Sequence, residues 1–136
     1  MIVVDTSAWV EFLRATGSAA DVALQAAVRT GAGVGVPDVV RLELLAGASE
    51  DAVEDLRRML ARFTALPASS PADHDLAAAL YRDVRRTGHT VRSLVDCLVG
   101  AVALRLDVPV LARDRDFERL AEVSPLRLVR AVDGPG

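Results

Sequence analysis

Ile2-Val3-Val4-Asp5-Thr6-Ser7 opens the chain with an apolar β-branched run stopped by an acid and two hydroxyl residues. With Met1 it reads as a buried strand, because it is short, apolar without alternation, and bounded by turn formers. Ser7 is then placed to N-cap a helix that carries Trp9, Phe12 and Leu13 on one face. The same strand, turn and helix grammar recurs downstream. A helix over about 19–30 precedes Gly31-Ala32-Gly33 and a strand at Val34-Gly35-Val36. Pro37 suits the first position of a helix running to Gly47, whose glycine suits a C-cap. Ser49 opens another helix with Glu50, Asp51 and Glu54 in its first turns, and 63–66 reads as a third strand. Ser70-Pro71-Ala72-Asp73 starts a helix that should reach Gly88, and Ser93 starts one through about Leu106. Asp107-Val108-Pro109 turns the chain into a strand at 109–112, followed by a short helix at 114–123 and a last strand at 126–129. Doubly buried strands separated by helices imply an α/β sandwich around a parallel sheet. In such sheets functional groups gather outside the carboxyl ends of the strands. No repeat or linker divides the 136 residues, so a single domain over 1–136 is expected.

Composition narrows the function. A chain with 51% hydrophobic and 26% charged residues is globular. It has no apolar run approaching the roughly 20 residues of a membrane span, and only a short apolar stretch before Asp5, so neither a membrane anchor nor a signal peptide is expected. The lone Cys97 cannot form an internal disulfide and fits a reducing cytoplasm. A net charge of −3 argues against a generic nucleic-acid binder. Every basic residue is Arg, so any phosphate contact must come from Arg. His74 and His89 have no ligand spacing, Cys97 has no evident His partner, and no glycine-rich phosphate loop is present. Trp9 reads as a core residue, with a partner contact as the minor alternative.

Four acids remain to be explained. Asp5 ends the first strand, and Glu43 lies inside Val39-Val40-Arg41-Leu42-Glu43-Leu44-Leu45. Asp96 lies inside Leu94-Val95-Asp96-Cys97-Leu98-Val99, and Asp114 closely follows Val110-Leu111-Ala112. A carboxylate in such company is costly to desolvate unless something pairs with it. A hard divalent cation such as Mg²⁺ prefers oxygen ligands and would hold several at once. Each acid also has a plainer reading. Asp5 suits a cap or a strand stop, Ser93-Leu94-Val95-Asp96 matches a capping box, and Asp114 and Asp116 both suit the cap of the last helix. Glu43 resists this treatment: it sits mid-helix beyond capping reach, and Arg41, two residues away, points elsewhere. Asp96, Gly100 and Ala103 share a helical face, which serves either ordinary helix packing or the close approach of a substrate backbone.

Four segments taken in order resemble PIN-domain proteins, specifically the small VapC-type toxin ribonucleases of bacterial toxin–antitoxin pairs. They are VVDTSAWVEFL from Val3, VPDVVRLELLAG from Val36, VRSLVDCLVGAVAL from Val91 and PVLARDRDFERLA from Pro109. The resemblance implies a PIN-like three-layer sandwich around a parallel sheet of about four or five strands, homodimers, Mg²⁺ or Mn²⁺ as cofactor, cleavage of structured RNA such as tRNA or rRNA, and a cognate VapB-type antitoxin. It makes Asp5, Glu43, Asp96 and Asp114 the catalytic quartet, with Asp116 auxiliary and Thr6 as the hydroxyl residue after the first Asp. Asp5, Asp96 and Asp114 would hold metal, while Glu43 would orient the attacking water or act as base. Arg113 and Arg115, flanking Asp114, are the best local candidates for RNA-phosphate contacts. Ala112 departs from the pattern, since relatives often carry Thr or His there.

Three rivals stand beside this. A DNA or flap nuclease would need helical additions that the chain lacks. A catalytically silent PIN-fold scaffold or RNA-binding module would have no reason to keep four costly acids. A phosphoryl-transfer domain with Asp5 as nucleophile would need a catalytic Lys, and one of the haloacid-dehalogenase kind would also need an Asp where Ser7 stands.

Overall fold

β1 (Ile2–Val4) passes directly into α1 (Thr6–Leu13) through the single residue Asp5. The computed structural model describes residues 1–130, so 131–136 of the expected domain lie outside the described residues. Asp5, not Ser7, caps α1: its backbone is extended and its side chain accepts from the Ser7 amide. The sheet decides this. The Asp5 amide still donates to Leu111 O at 2.9 Å, while the Asp5 carbonyl already accepts from Ala8 and Trp9. Strand and helix therefore meet at this residue.

α2 (Ala19–Thr30) is capped by Ser18 and stops on the left-handed Gly31. Pro37 closes β2 (Val34–Pro37), and α3 (Asp38–Gly47) begins one residue later than expected, because Pro37 is extended and paired with Leu66 in the sheet. Gly47 is the last helical residue and Ala48 the C-cap. α4 (Val53–Leu60) does not start at Ser49. The Ser49 carbonyl first accepts from the Ala52 and Val53 amides in a turn. β3 (Thr64–Leu66) and α5 (Ala72–Arg86) follow. Neither Ser70 nor Pro71 gives α5 a side-chain cap, and Asp73 instead takes the Ser69 amide at 2.7 Å. α6 (Leu94–Leu106), β4 (Val110–Leu111) and α7 (Asp116–Glu122) are the remaining elements among the described residues.

Among the described residues the sheet is four-stranded and parallel, in the order β3-β2-β1-β4. The expected last strand at 126–129 makes only an isolated bridge, Val110 to Leu128. Val3, Val4, Val110 and Leu111 are all fully buried. Successive strand residues point to opposite faces, so both faces of the sheet are covered. A Cβ on Gly35 would collide with the Leu66 side chain, so this glycine lets β2 and β3 pack as they do. Trp9 is fully buried, edge-on to Phe12 and tilted against Phe63, which makes it a core residue, while Leu13 is exposed. Among the described residues, no helix is long and apolar enough to cross a membrane.

From β1 the chain builds outward to β2 and β3, then returns through α5 and α6 to lay β4 on the other side of β1. Strand order thus reverses between β1 and β4. A crevice opens outside the carboxyl ends of strands at such a switch point. Asp5 ends β1 there, and Asp114 follows β4.

Candidate active site

Asp5 is 2% exposed. One oxygen, Oδ2, accepts from the Ser7 amide at 3.0 Å and the Ser7 hydroxyl at 2.7 Å. The other, Oδ1, is buried with no partner among the described residues. Capping therefore explains half of this carboxylate. Burial raises its pKa, against the pull of the Ser7 and Thr6 hydrogen bonds, and Glu43 adds to the rise.

Asp96 occupies the first turn of α6, after the cap Ser93, whose hydroxyl accepts from the Val95 amide. The reciprocal half of a capping box is not made: Asp96 Oδ2 is buried without a partner among the described residues. Its pKa is pushed up to about 8, first by burial and then by the charges of Asp5 and Asp114. Gly100 on the same helix faces Leu120, where a Cβ would lie 3.3 Å from the Leu120 side chain, so this position serves helix packing.

Asp114 Oδ1 accepts from the Asp116 amide at 2.9 Å, just ahead of α7. Asp116 is buried and accepts from the Arg92 amide at 3.0 Å. One oxygen from each of Asp96, Asp114 and Asp116 lies within 4.8 Å of the others. That span is near twice a Mg–O distance of roughly 2.1 Å. The converging carboxylates of Asp96, Asp114 and Asp116, with Asp5 beside them, are a donor set suited to a hard divalent cation, and Asp5 and Asp96 each have a buried oxygen unpartnered among the described residues.

The expected quartet is only partly gathered. Asp96 and Asp114 converge, Asp5 stands beside them, and Asp116, expected as auxiliary, is in the central group. Glu43 stays exposed at the rim, where its Oε1 accepts from the Thr6 hydroxyl at 2.7 Å. Arg113 is tied down: its guanidinium pairs with Glu11 at 2.5 Å and its amide donates to Ser7 Oγ. Arg115 is exposed and has no carboxylate partner among the described residues. Arg92 was not foreseen. Its guanidinium lies 3.3 Å from Asp114 and 3.5 Å from Asp116. Its only local signal is adjacency to the cap of α6. Cys97 is buried, with its thiol pushed up to about 11 by burial and then by Asp96, which leaves it unreactive.

The chain belongs to the PIN-domain family: residues 2–123 match the PIN domain. Within that family it is 38% identical over 129 residues to Ribonuclease VapC11 of Mycobacterium tuberculosis, covering 93% of this chain and 96% of that one. In fold it is similar to VapBC2 of Rickettsia felis, solved bound to a DNA fragment from their promoter, with TM-score 0.74 and 15% identity over 95% of this chain and 98% of that one. It is also similar to Mycobacterium tuberculosis VapC20, a sarcin-ricin loop cleaving toxin, with TM-score 0.59 and 22% identity over 93% and 99% of the two chains.

Proposed function

We propose that the protein is a divalent-metal-dependent endoribonuclease toxin of the VapC type, hydrolysing phosphodiester bonds in structured RNA such as tRNA or rRNA. The observation that carries this is the pair of buried, unpartnered oxygens, Asp5 Oδ1 and Asp96 Oδ2, beside Asp114 and Asp116. The identity to a named ribonuclease along nearly the whole chain supports it. A cognate VapB-type antitoxin, a homodimeric assembly and a cytoplasmic location complete the proposal.

Asp5, Asp96 and Asp114 would hold Mg²⁺ or Mn²⁺, with Asp116 auxiliary. Such an ion supplies Lewis acidity that lowers the pKa of a water and offsets charge on the phosphate. The chain's own residues do the rest. Ser7 holds Asp5 by Oδ2 and leaves Oδ1 free. Thr6 fixes Glu43 by Oε1, while the other Glu43 oxygen takes no hydrogen bond among the described residues and is open to receive a proton from the attacking water. Glu43 is then the general base. Arg115 holds an RNA phosphate, and Arg113, already paired, contributes less. No enzyme nucleophile is needed.

The test is incubation of the purified full chain with labelled tRNA and rRNA fragments in EDTA, Mg²⁺ or Mn²⁺, with Asp96→Asn alongside. Cleavage that needs metal and vanishes in Asp96→Asn is expected. RNA binding without cleavage under every metal condition would make the protein a silent scaffold instead.

A further inference from the structure

Arg92 directly precedes Ser93, the cap of α6, and its backbone and side chain do separate things. The amide donates to Asp116 Oδ2 at 3.0 Å, which ties this loop to α7 whatever the side chain is. The guanidinium is 78% exposed and reaches over two acids, 3.3 Å from Asp114 Oδ1 and 3.5 Å from Asp116 Oδ2. Both acids belong to the three-carboxylate group described above. A monovalent cation thus stands on part of the donor set suited to a divalent one. The unpartnered oxygens of Asp5 and Asp96 take no hydrogen bond from it.

Here the guanidinium is exposed although its acid partners are largely buried, and an ion pair with one exposed partner is partly screened by salt and weakly held. A divalent ion brings twice the charge at a shorter distance and displaces such a group readily. The planar guanidinium fork that fits a carboxylate also fits a phosphate. We propose that Arg92 is an exchangeable counter-cation of this site: it occupies Asp114 and Asp116 without metal, yields Asp114 when metal binds, and then holds a backbone phosphate of the RNA. The proposal rests on the metal-dependent ribonuclease reading above. It carries a signature that a structural brace would not. Removing the guanidinium strengthens metal binding and weakens RNA binding, whereas loss of a brace weakens both.

The experiment measures Mn²⁺ affinity by calorimetry on the full chain, for wild type, Arg92→Gln and Arg115→Gln. Labelled RNA-hairpin affinity is then measured by anisotropy in Mn²⁺ in the cold, with the RNA checked for intactness on a gel. Arg92→Gln is expected to bind Mn²⁺ about two- to fivefold tighter and the hairpin about two- to fivefold more weakly. Arg115→Gln, which loses a charge but touches no acid, is expected to leave Mn²⁺ affinity near that of wild type. Unchanged or weaker Mn²⁺ binding by Arg92→Gln overturns the proposal, as does an equal gain in Arg115→Gln or an unchanged hairpin affinity in Arg92→Gln. A wild type that takes up no Mn²⁺ sinks the metal reading as well. A wild type that binds Mn²⁺ with the same affinity as Arg92→Gln sinks this proposal alone.

Discussion

The two ends of α6 handle a buried aspartate in opposite ways. At its C-terminal end, Arg105 Nε reaches Asp73 in the first turn of α5, at 2.9 and 3.0 Å from the two oxygens. Asp73 is 1% exposed and also takes the Ser69 amide. Burial works against its charge, yet Arg105 and the Ser69 amide outweigh burial and hold its pKa below the ordinary value. At the N-terminal end, Asp96 is 7% exposed, has an oxygen with no partner among the described residues, and has its pKa pushed up to about 8, first by burial. Both residues are aspartates buried in the first turn of a helix. Burial of a charge therefore does not mark a site. Burial of a carboxyl group that the fold leaves unpaired is the more telling signal, because desolvation opposes its ionisation there and no partner offsets that cost.

If that contrast is sound, the two residues fail differently when neutralised. Asp96→Asn should reduce metal-dependent RNA cleavage by at least about 100-fold, the order seen when a charge-stabilising group is lost, while circular dichroism stays that of wild type. Unfolding of Asp96→Asn would erase the contrast. Asp73→Asn should act on stability, lowering it by about 2–3 kcal/mol in urea unfolding. A fully buried pair would cost more, roughly 3–5 kcal/mol, but Arg105 is partly exposed and can turn to water. Per folded molecule, Asp73→Asn should cleave at the wild-type rate.

Titration separates the pair further. Asp96 has a folded-state pKa raised above its unfolded value, so the folded protein binds the extra proton. Its contribution to stability is fully present below about pH 4 and is lost as pH rises through about 8. Asp73 has the opposite sign: its contribution is present above the unfolded pKa and is lost only as pH falls through the depressed folded value. In EDTA, the Tm of wild type should thus fall between pH 4 and 8 relative to Asp96→Asn, reaching a gap of at least about 3 °C. Parallel Tm curves for the two proteins would mean that Asp96 is not strained in the metal-free fold.

The fold and the acids were legible for one reason: both are written in neighbouring residues. Apolar runs gave β1, β2 and α2, and an acid inside such a run is conspicuous because burying it is costly. What the sequence hid depends on distant contacts. Arg92 meets Asp114 and Asp116 only because the start of α6 lies against the loop after β4, 22 and 24 residues away. The Glu11–Arg113 pair that occupies one expected RNA contact spans 102 residues. At Asp5 and Ser7 either side chain was chemically able to cap, and the hydrogen bond from Asp5 to Leu111 across the sheet decided between them. The capping box at Ser93 had the right residues, yet Asp96 sits among other acids instead of reaching back.

The same distinction between paired and free charge applies to the cations beside Asp114, with a smaller effect. Arg113 is held by Glu11, so its charge is already compensated and it would neutralise less phosphate charge, freeing fewer of the counterions condensed on RNA. Arg115 is exposed without a carboxylate partner among the described residues. Each phosphate that a free cation neutralises adds roughly 0.7–0.9 to the slope of log affinity against log salt. Arg115→Gln should lower that slope by about one such increment and weaken RNA binding about three- to fivefold at moderate salt, leaving the rate at saturating RNA little changed. Arg113→Gln should change the slope by less than half as much. Equal slopes for the two variants would show that pairing with Glu11 does not silence Arg113, and the rule drawn from Asp73 and Asp96 would then not extend to the basic rim.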